Sequence, residues 1–206
     1  MTSTSSARLG AALIAAVAAS MVGFAAVAHA NEDGMHGDPG AAAPYWRYQQ
    51  QDRDCAEMAV ADVVGEITGH QPGEDEIDAT AGNIPSGSHS GPIYRPGSRT
   101  SNGDLAVLLA HYGIQAASVH TNIGALEQDL DQGRKVVAGV NNKTIWNEGG
   151  NRSEENHFVV VTGIDTKAGV VHLNDSGAKA GRDEVVSMAT FEAAWATSNN
   201  FAVVTR

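Results

Sequence analysis

Residues 157–175 read HFVVVTGIDTKAGVVHLND. The β-branched run after His157 predicts a buried strand, Thr166-Lys167-Ala168-Gly169 a turn, and Val170 to Asp175 the returning strand of a hairpin. With the turn centred near residues 166–168, His157 and Asp175 lie roughly opposite each other across an antiparallel pair, with Cβ atoms about 5 Å apart. A histidine–carboxylate pair needs that reach. Two plainer readings stand beside it: a strand-edge histidine satisfied by backbone, and a turn-forming aspartate in Asn174-Asp175-Ser176-Gly177. His172, on the face of Val170, reads as structural.

An oriented imidazole is a general base in search of a nucleophile. The chain has one cysteine, Cys55, so an intramolecular disulfide is excluded. After it comes AEMAVADVVGEITG, in which Ala56, Ala59, Val60, Val63, Val64 and Ile67 form a helical stripe. Asp54 as N-cap and Gly69 beyond the last turn bound a helix of about 55–68. Cys55 then sits in the first turn, where free N–H groups and the helix dipole favour a thiolate. The negative charge of Asp54 works against this. A small buried hydrophobe is the structural alternative for Cys55.

The other histidines offer weaker bases. His29 and His36 lie near the N-terminus, the latter in a Gly, Ala, Asp and Pro stretch. His70 and His89 fall in loops, His111 on a helix of residues 104–112 capped by Ser101 or Asn102, and His120 just before a cap at Asn122. The coarse order is helix 55–68, helix 104–112, strand 114–119, helix 123–132, strand 135–140, hairpin 157–174, helix 188–196 and strand 200–204. Helices first and strands mostly later predict an α+β fold, an antiparallel sheet packed on the cysteine helix. Loops 82–103 and 141–156 are long enough to be functional. Trp146, in the second, is a candidate substrate-binding residue or a cover for the core. The run Glu74-Asp75-Glu76 reads as a capping or solvated turn.

Arg8 is the sole charged residue among the first 30, so the remaining 176 carry −12 against −11 for the whole chain. An acidic chain lacks the basic footprint of a nucleic-acid binder. Residues 9–30 form an apolar run ending in Ala28-His29-Ala30, the pattern of a secretory signal peptide cleaved after Ala30. Its length also suits an uncleaved anchor. The expected organisation is a signal peptide over 1–30, a flexible linker over 31–44 and one domain over 45–206, secreted or extracytoplasmic, with no stable membrane insertion once cleaved. No phosphate-binding loop, metal-spaced cluster or repeat is found, so no cofactor and no metal is expected.

Gln49 six residues before Cys55, the helix from the cysteine, a Leu-rich helix ending His111-Tyr112-Gly113-Ile114, and Gly133-Arg134-Lys135-Val136-Val137-Ala138-Gly139-Val140 resemble the papain-like peptidases that cut double-glycine leaders of bacteriocins. The whole looks like their stand-alone relatives, which lack a transporter. His157-Phe158-Val159-Val160-Val161-Thr162-Gly163 and Leu173-Asn174-Asp175 resemble the family's His- and Asp-bearing strands. Phe191 to Trp195 and Phe201 to Val204 resemble its closing helix and strand. The resemblance covers residues 45–206.

It implies a papain-like cysteine peptidase fold with Cys55 as nucleophile, His157 as general base and then acid, and Asp175 orienting the imidazole. Gln49 would hold the oxyanion beside the Cys55 backbone N–H, with Gln50 and Gln51 open as alternatives. Ala56 stands where the family commonly has Gly, and no ATPase or membrane domain follows. The implied activity is hydrolysis of a peptide or amide bond through a thioester, on a peptide or protein substrate. A cell-wall amidase or acyl transferase using the same triad, and a non-catalytic binding module keeping the fold, are the rival expectations.

Overall fold

The computed structural model describes Met1 and residues 34–206. The apolar run 9–30 lies outside the described residues. In chain order the elements are β1 (Met35–Gly37), α1 (Pro39–Ala42), a 3-10 turn (Ala43–Tyr45), α2 (Cys55–Thr68), α3 (Glu74–Ala81), α4 (Asp104–His111), β2 (Ala116–His120), α5 (Ile123–Asp131) and β3 (Val136–Val140). Then follow α6 (Asn142–Ile145), β4 (His157–Asp165), β5 (Val170–Asn174), β6 (Glu184–Ser187), α7 (Met188–Trp195), a second 3-10 turn (Ala196–Ser198) and β7 (Phe201–Thr205).

The sheet is antiparallel throughout, in the order β2-β7-β3-β4-β5-β6. β4 is long enough that β3 pairs with its first part, residues 157–161, and β1 with its end, residues 163–165. Alternate residues of the central strands feed two cores. Phe158 and Val160 face α2, α3 and α4, with Val137 and Val203. Val159 and Val161 face α5, α6 and α7, with Leu126, Phe191 and Trp195. Because both faces are covered, β3, β4 and β7 read as unbroken apolar runs rather than as a half-polar alternation. The α+β fold with the cysteine helix against an antiparallel sheet is therefore present, with a second helical layer behind it.

Helix α2 differs from its expected one-sided stripe. Every residue from Cys55 to Gly65 is buried, whereas Ile67 is 45% exposed. The helix runs between the sheet, α3, α4 and Tyr45, so its polar residues needed partners inside. Glu57 accepts from the Thr100 hydroxyl at 2.5 Å, and Asp62 from Asn174 Nδ2 at 3.0 Å. Gly69 ends it as expected, left-handed at φ 75°. Asp54 occupies the N-cap position without capping: its side chain bonds no helix N–H. The Asp54 backbone lies at φ −96° and ψ 16°, outside the extended region of a capping residue, and its side chain is buried. Gly103, not Ser101 or Asn102, stands at the N-cap of α4; Asn102 donates to Glu155 instead.

Residues 31–44 carry the expectation of a flexible linker, and from Met35 onward the structure differs. β1 pairs Met35 with Asp165 and Gly37 with Gly163, Asp38 caps α1 by accepting from Ala41 N, and His36 Nδ1 bonds Asp131 at 2.9 Å. Tertiary pairing along β4 supplies bonds that the local composition does not announce. The acidic run at 74–76 opens helix α3, and its expected capping role falls to Glu76, which accepts from Gly73 N at 3.3 Å. Its charges sit at the positive end of the dipole, and Ile77 and Ala81 bury the opposite face.

Candidate active site

β4 starts at His157 and β5 ends at Asn174, so His157 and Asp175 are held at the same rim of the sheet. The expected pairing forms by a different register from the one foreseen. Val160 lies opposite Asn174 and Val161 opposite Leu173, with an irregularity between Val161 and Gly163. Continuing that register brings position 177, not 175, level with His157. Asp175 reaches the imidazole diagonally, and His157 Nε2 bonds Asp175 Oδ1 at 2.6 Å. Gly177 occupies the level position because nothing larger fits: a Cβ there would lie 2.9 Å from both His157 Cε1 and Trp146 Cζ2.

Asp175 is wholly buried and held on every side. Oδ1 also accepts from Gly177 N at 2.8 Å, and Oδ2 accepts from Trp146 Nε1 at 2.8 Å. Its backbone N–H donates to Gly181 O, and its carbonyl accepts from Trp46 Nε1 at 2.6 Å. Asn174, next to it, ties Ala42 O, Asp62 and the Asp183 N–H together. Burial works against the Asp175 charge, yet the His157 charge and the donors lower its pKa from the ordinary value.

Cys55 and His157 are both buried and line one cleft of about 310 Å³ with Gln49, Trp146 and Gly177. Burial opposes a charged imidazole. The charges of Asp175 and Cys55, and hydrogen bonds with both, outweigh it and raise the His157 pKa well above 6.5. With Nε2 turned to Asp175, Nδ1 is the nitrogen left for the thiol. The backbone N of Gln49 donates to Ser176 O at 2.9 Å, and its Oε1 accepts from Ser176 Oγ at 3.0 Å. Gln49 Nε2 donates one N–H to Gln51 O at 3.0 Å, and an amide nitrogen carries two. Gln50 Nε2 donates to Tyr48 O.

Trp146, expected in substrate binding, is half-buried, lines the cleft and is also tied to the histidine–aspartate pair. Its ring lies 5.5 Å from that of His157, centroid to centroid, besides bonding Asp175. The sequence reading does not single out Trp46, and it has Ser176 and Gly177 only as residues of a turn. Asn174-Asp175-Ser176-Gly177 looks like an ordinary turn, and its Gly was the available signal. The remaining histidines stand apart: His120 bonds Asn199 O, His172 bonds Asp183, and His89 lies 3.8 Å from Asp104. Among the described residues no group of three or more His, Cys, Asp or Glu is placed to hold a metal ion, and no helix is long and apolar enough to cross a membrane.

Uncharacterised proteins of Mycobacterium tuberculosis and Mycobacterium bovis are each 43% identical over 217 aligned positions, covering 92% of this chain and 92% of theirs. Among solved structures, one described as a C39-like peptidase from Bacillus anthracis is similar in fold, with a TM-score of 0.61, 19% identity, and coverage of 80% of this chain and 95% of that one. The peptidase domain of Streptococcus ComA, a bi-functional ABC transporter, gives a TM-score of 0.55 at 16% identity, over 78% of this chain and 96% of that one. The profile of the Peptidase_C39 like family matches residues 44–203, and the chain belongs to that family.

Proposed function

We propose that the protein is an exported cysteine hydrolase that cleaves a peptide or amide bond through a thioester on Cys55. The observation that carries this reading is the meeting, in one cleft, of the cysteine that opens α2 with a buried histidine bonded to a buried aspartate. Cys55 Sγ attacks the scissile carbonyl carbon while the proton of the pair resides on His157. His157 then gives that proton to the departing amine, and water, activated by the same imidazole, releases the acyl group. Asp175 keeps Nε2–H pointed at itself, so Nδ1 faces the sulfur throughout. The oxyanion is received by the Cys55 backbone N–H and the second N–H of Gln49 Nε2.

The substrate in this reading is a peptide or protein outside the cytoplasm, reached after cleavage at Ala30. Purified protein incubated with a mixed peptide library and read by mass spectrometry tests the chemistry. Wild type should generate new termini and Cys55→Ser none while keeping its thermal melt; equal cleavage by both overturns the reading. Protein recovered from the medium should begin at Asn31.

A further inference from the structure

The segment Gln49–Gln51 forms a wall of the cleft, and it is anchored from a direction the catalytic groups do not supply. Glu74, first residue of α3, accepts the Gln50 N–H at 2.5 Å and the Gln51 N–H at 2.7 Å on one oxygen. Two backbone donors on one carboxylate oxygen fix the strand of chain between them, in the manner of a clamp rather than a helix cap. Asp54, whose carboxyl meets that of Glu74, lies wholly buried immediately before the nucleophile, and no N–H or hydroxyl of another residue bonds either of its oxygens. A buried carboxylate in that state is costly; a carboxylic acid giving its proton to a neighbouring carboxylate is not.

We propose that Asp54 and Glu74 share a proton and thereby latch the Gln49–Gln51 segment to the residue preceding Cys55, making Glu74 a positioning residue for the oxyanion site. This rests on the hydrolase reading above. Burial first, then the Glu74 side chain and the charge of Asp78, push Asp54 up to about 9, so the donor form persists through neutral pH. The groups facing the pair are Asp78 on α3, Tyr94 from the 82–103 loop and Glu57 on α2. All are acids, so loss of the shared proton turns attraction into repulsion and frees the segment.

The latch acts on the oxyanion site, while the charge Asp54 gains on ionising also opposes the neighbouring thiolate, and the two effects are read apart. Two probes read the two parts in purified protein: iodoacetamide, which needs only the thiolate, and N-acetyl-glycyl-glycinal, whose hemithioacetal also needs the oxyanion donors. In Glu74→Ala, aldehyde affinity at about pH 7 should fall about tenfold or more while the alkylation rate stays within about twofold. Glu74→Gln, which keeps an acceptor oxygen, should recover most of it. In wild type, aldehyde affinity should drop between about pH 8 and pH 10 beyond the change in alkylation, and Asp54→Asn, which donates an N–H at every pH, should remove that drop. An Asp54→Asn curve that follows wild type overturns the latch, as does a folded Glu74→Ala with unchanged aldehyde affinity. If Glu74→Ala does not fold, Asp54→Asn decides. An ordinary thiol profile with no aldehyde capture in wild type overturns the hydrolase reading, and the latch as a catalytic device with it.

Discussion

The Trp146 indole N–H donates to Asp175 Oδ2 at 2.8 Å, and the same ring packs against the imidazole that Asp175 orients. One side chain thus excludes water from the His157–Asp175 bond and supplies part of the carboxylate's neutralisation. Trp146→Phe keeps the cover and removes the donor. A buried carboxylate oxygen losing its partner costs about 1–3 kcal/mol, so peptide cleavage by Trp146→Phe should fall about tenfold, and Trp146→Ala further. Equal kcat/KM in wild type and Trp146→Phe would show that the bond contributes nothing to catalysis.

His157 carries its proton because Asp175 and Cys55 outweigh burial. Removing the imidazole removes the partner that stabilises a sulfur anion. Iodoacetamide should therefore alkylate Cys55 faster in wild type than in His157→Ala wherever His157 is protonated. Peptide cleavage should fall by about a thousandfold or more in the same variant. Asp175→Asn keeps most of the geometry but removes the charge that raises His157, so the alkaline limb of the cleavage profile should move to lower pH. Identical alkylation profiles in wild type and His157→Ala would break the pairing on which the mechanism depends.

Gly177 is the contact point between the turn after β5 and the imidazole. A methyl group placed there would sit 2.9 Å from His157 and 2.9 Å from Trp146, closer than side chains approach. Its φ is not the obstacle; the two rings are. Gly177→Ala should cost about 1–3 kcal/mol of stability through overpacking. It should also lower cleavage more than that loss of folded protein explains, because the displaced ring is His157. A variant with wild-type melting and full activity would show that the rings yield without consequence.

Much of this arrangement was legible before the structure. Cys55 on a helix, His157 opening a buried strand and Asp175 closing its partner follow from apolar periodicity and turn chemistry, both local. The register was not read: the irregularity between Val161 and Gly163 shifts the level position from Asp175 to Gly177, and its one signal was Gly163, the glycine inside β4. Asp54 was misjudged as a cap because its type suits one. Its backbone, at φ −96° and ψ 16°, is not the extended conformation that lets a side chain cap, and residue type does not show this. Strands β1 and β6 pair with β4 and β5, and such short segments depend on neighbours distant in sequence.

The acids around α2 make stability depend on pH in a stated direction. Burial raises Asp78 to about 6, Glu57 to about 7 and Asp54 to about 9. A carboxyl whose folded pKa lies above its unfolded value stabilises the fold fully below the unfolded pKa, near 4, and loses that contribution as pH rises through the folded value. His157, raised by Asp175 and Cys55, loses its contribution in the same direction. Asp175, lowered, loses its own only toward strong acid. The melting temperature should therefore be higher near pH 5 than near pH 8. Glu57→Gln should flatten part of the slope, since the amide oxygen can still accept from Thr100. At this chain length about 1 kcal/mol corresponds to about 2–4 °C, well within the resolution of a thermal melt. A melting temperature that rises from pH 5 to pH 8 would mean that these carboxyls ionise in the fold without penalty.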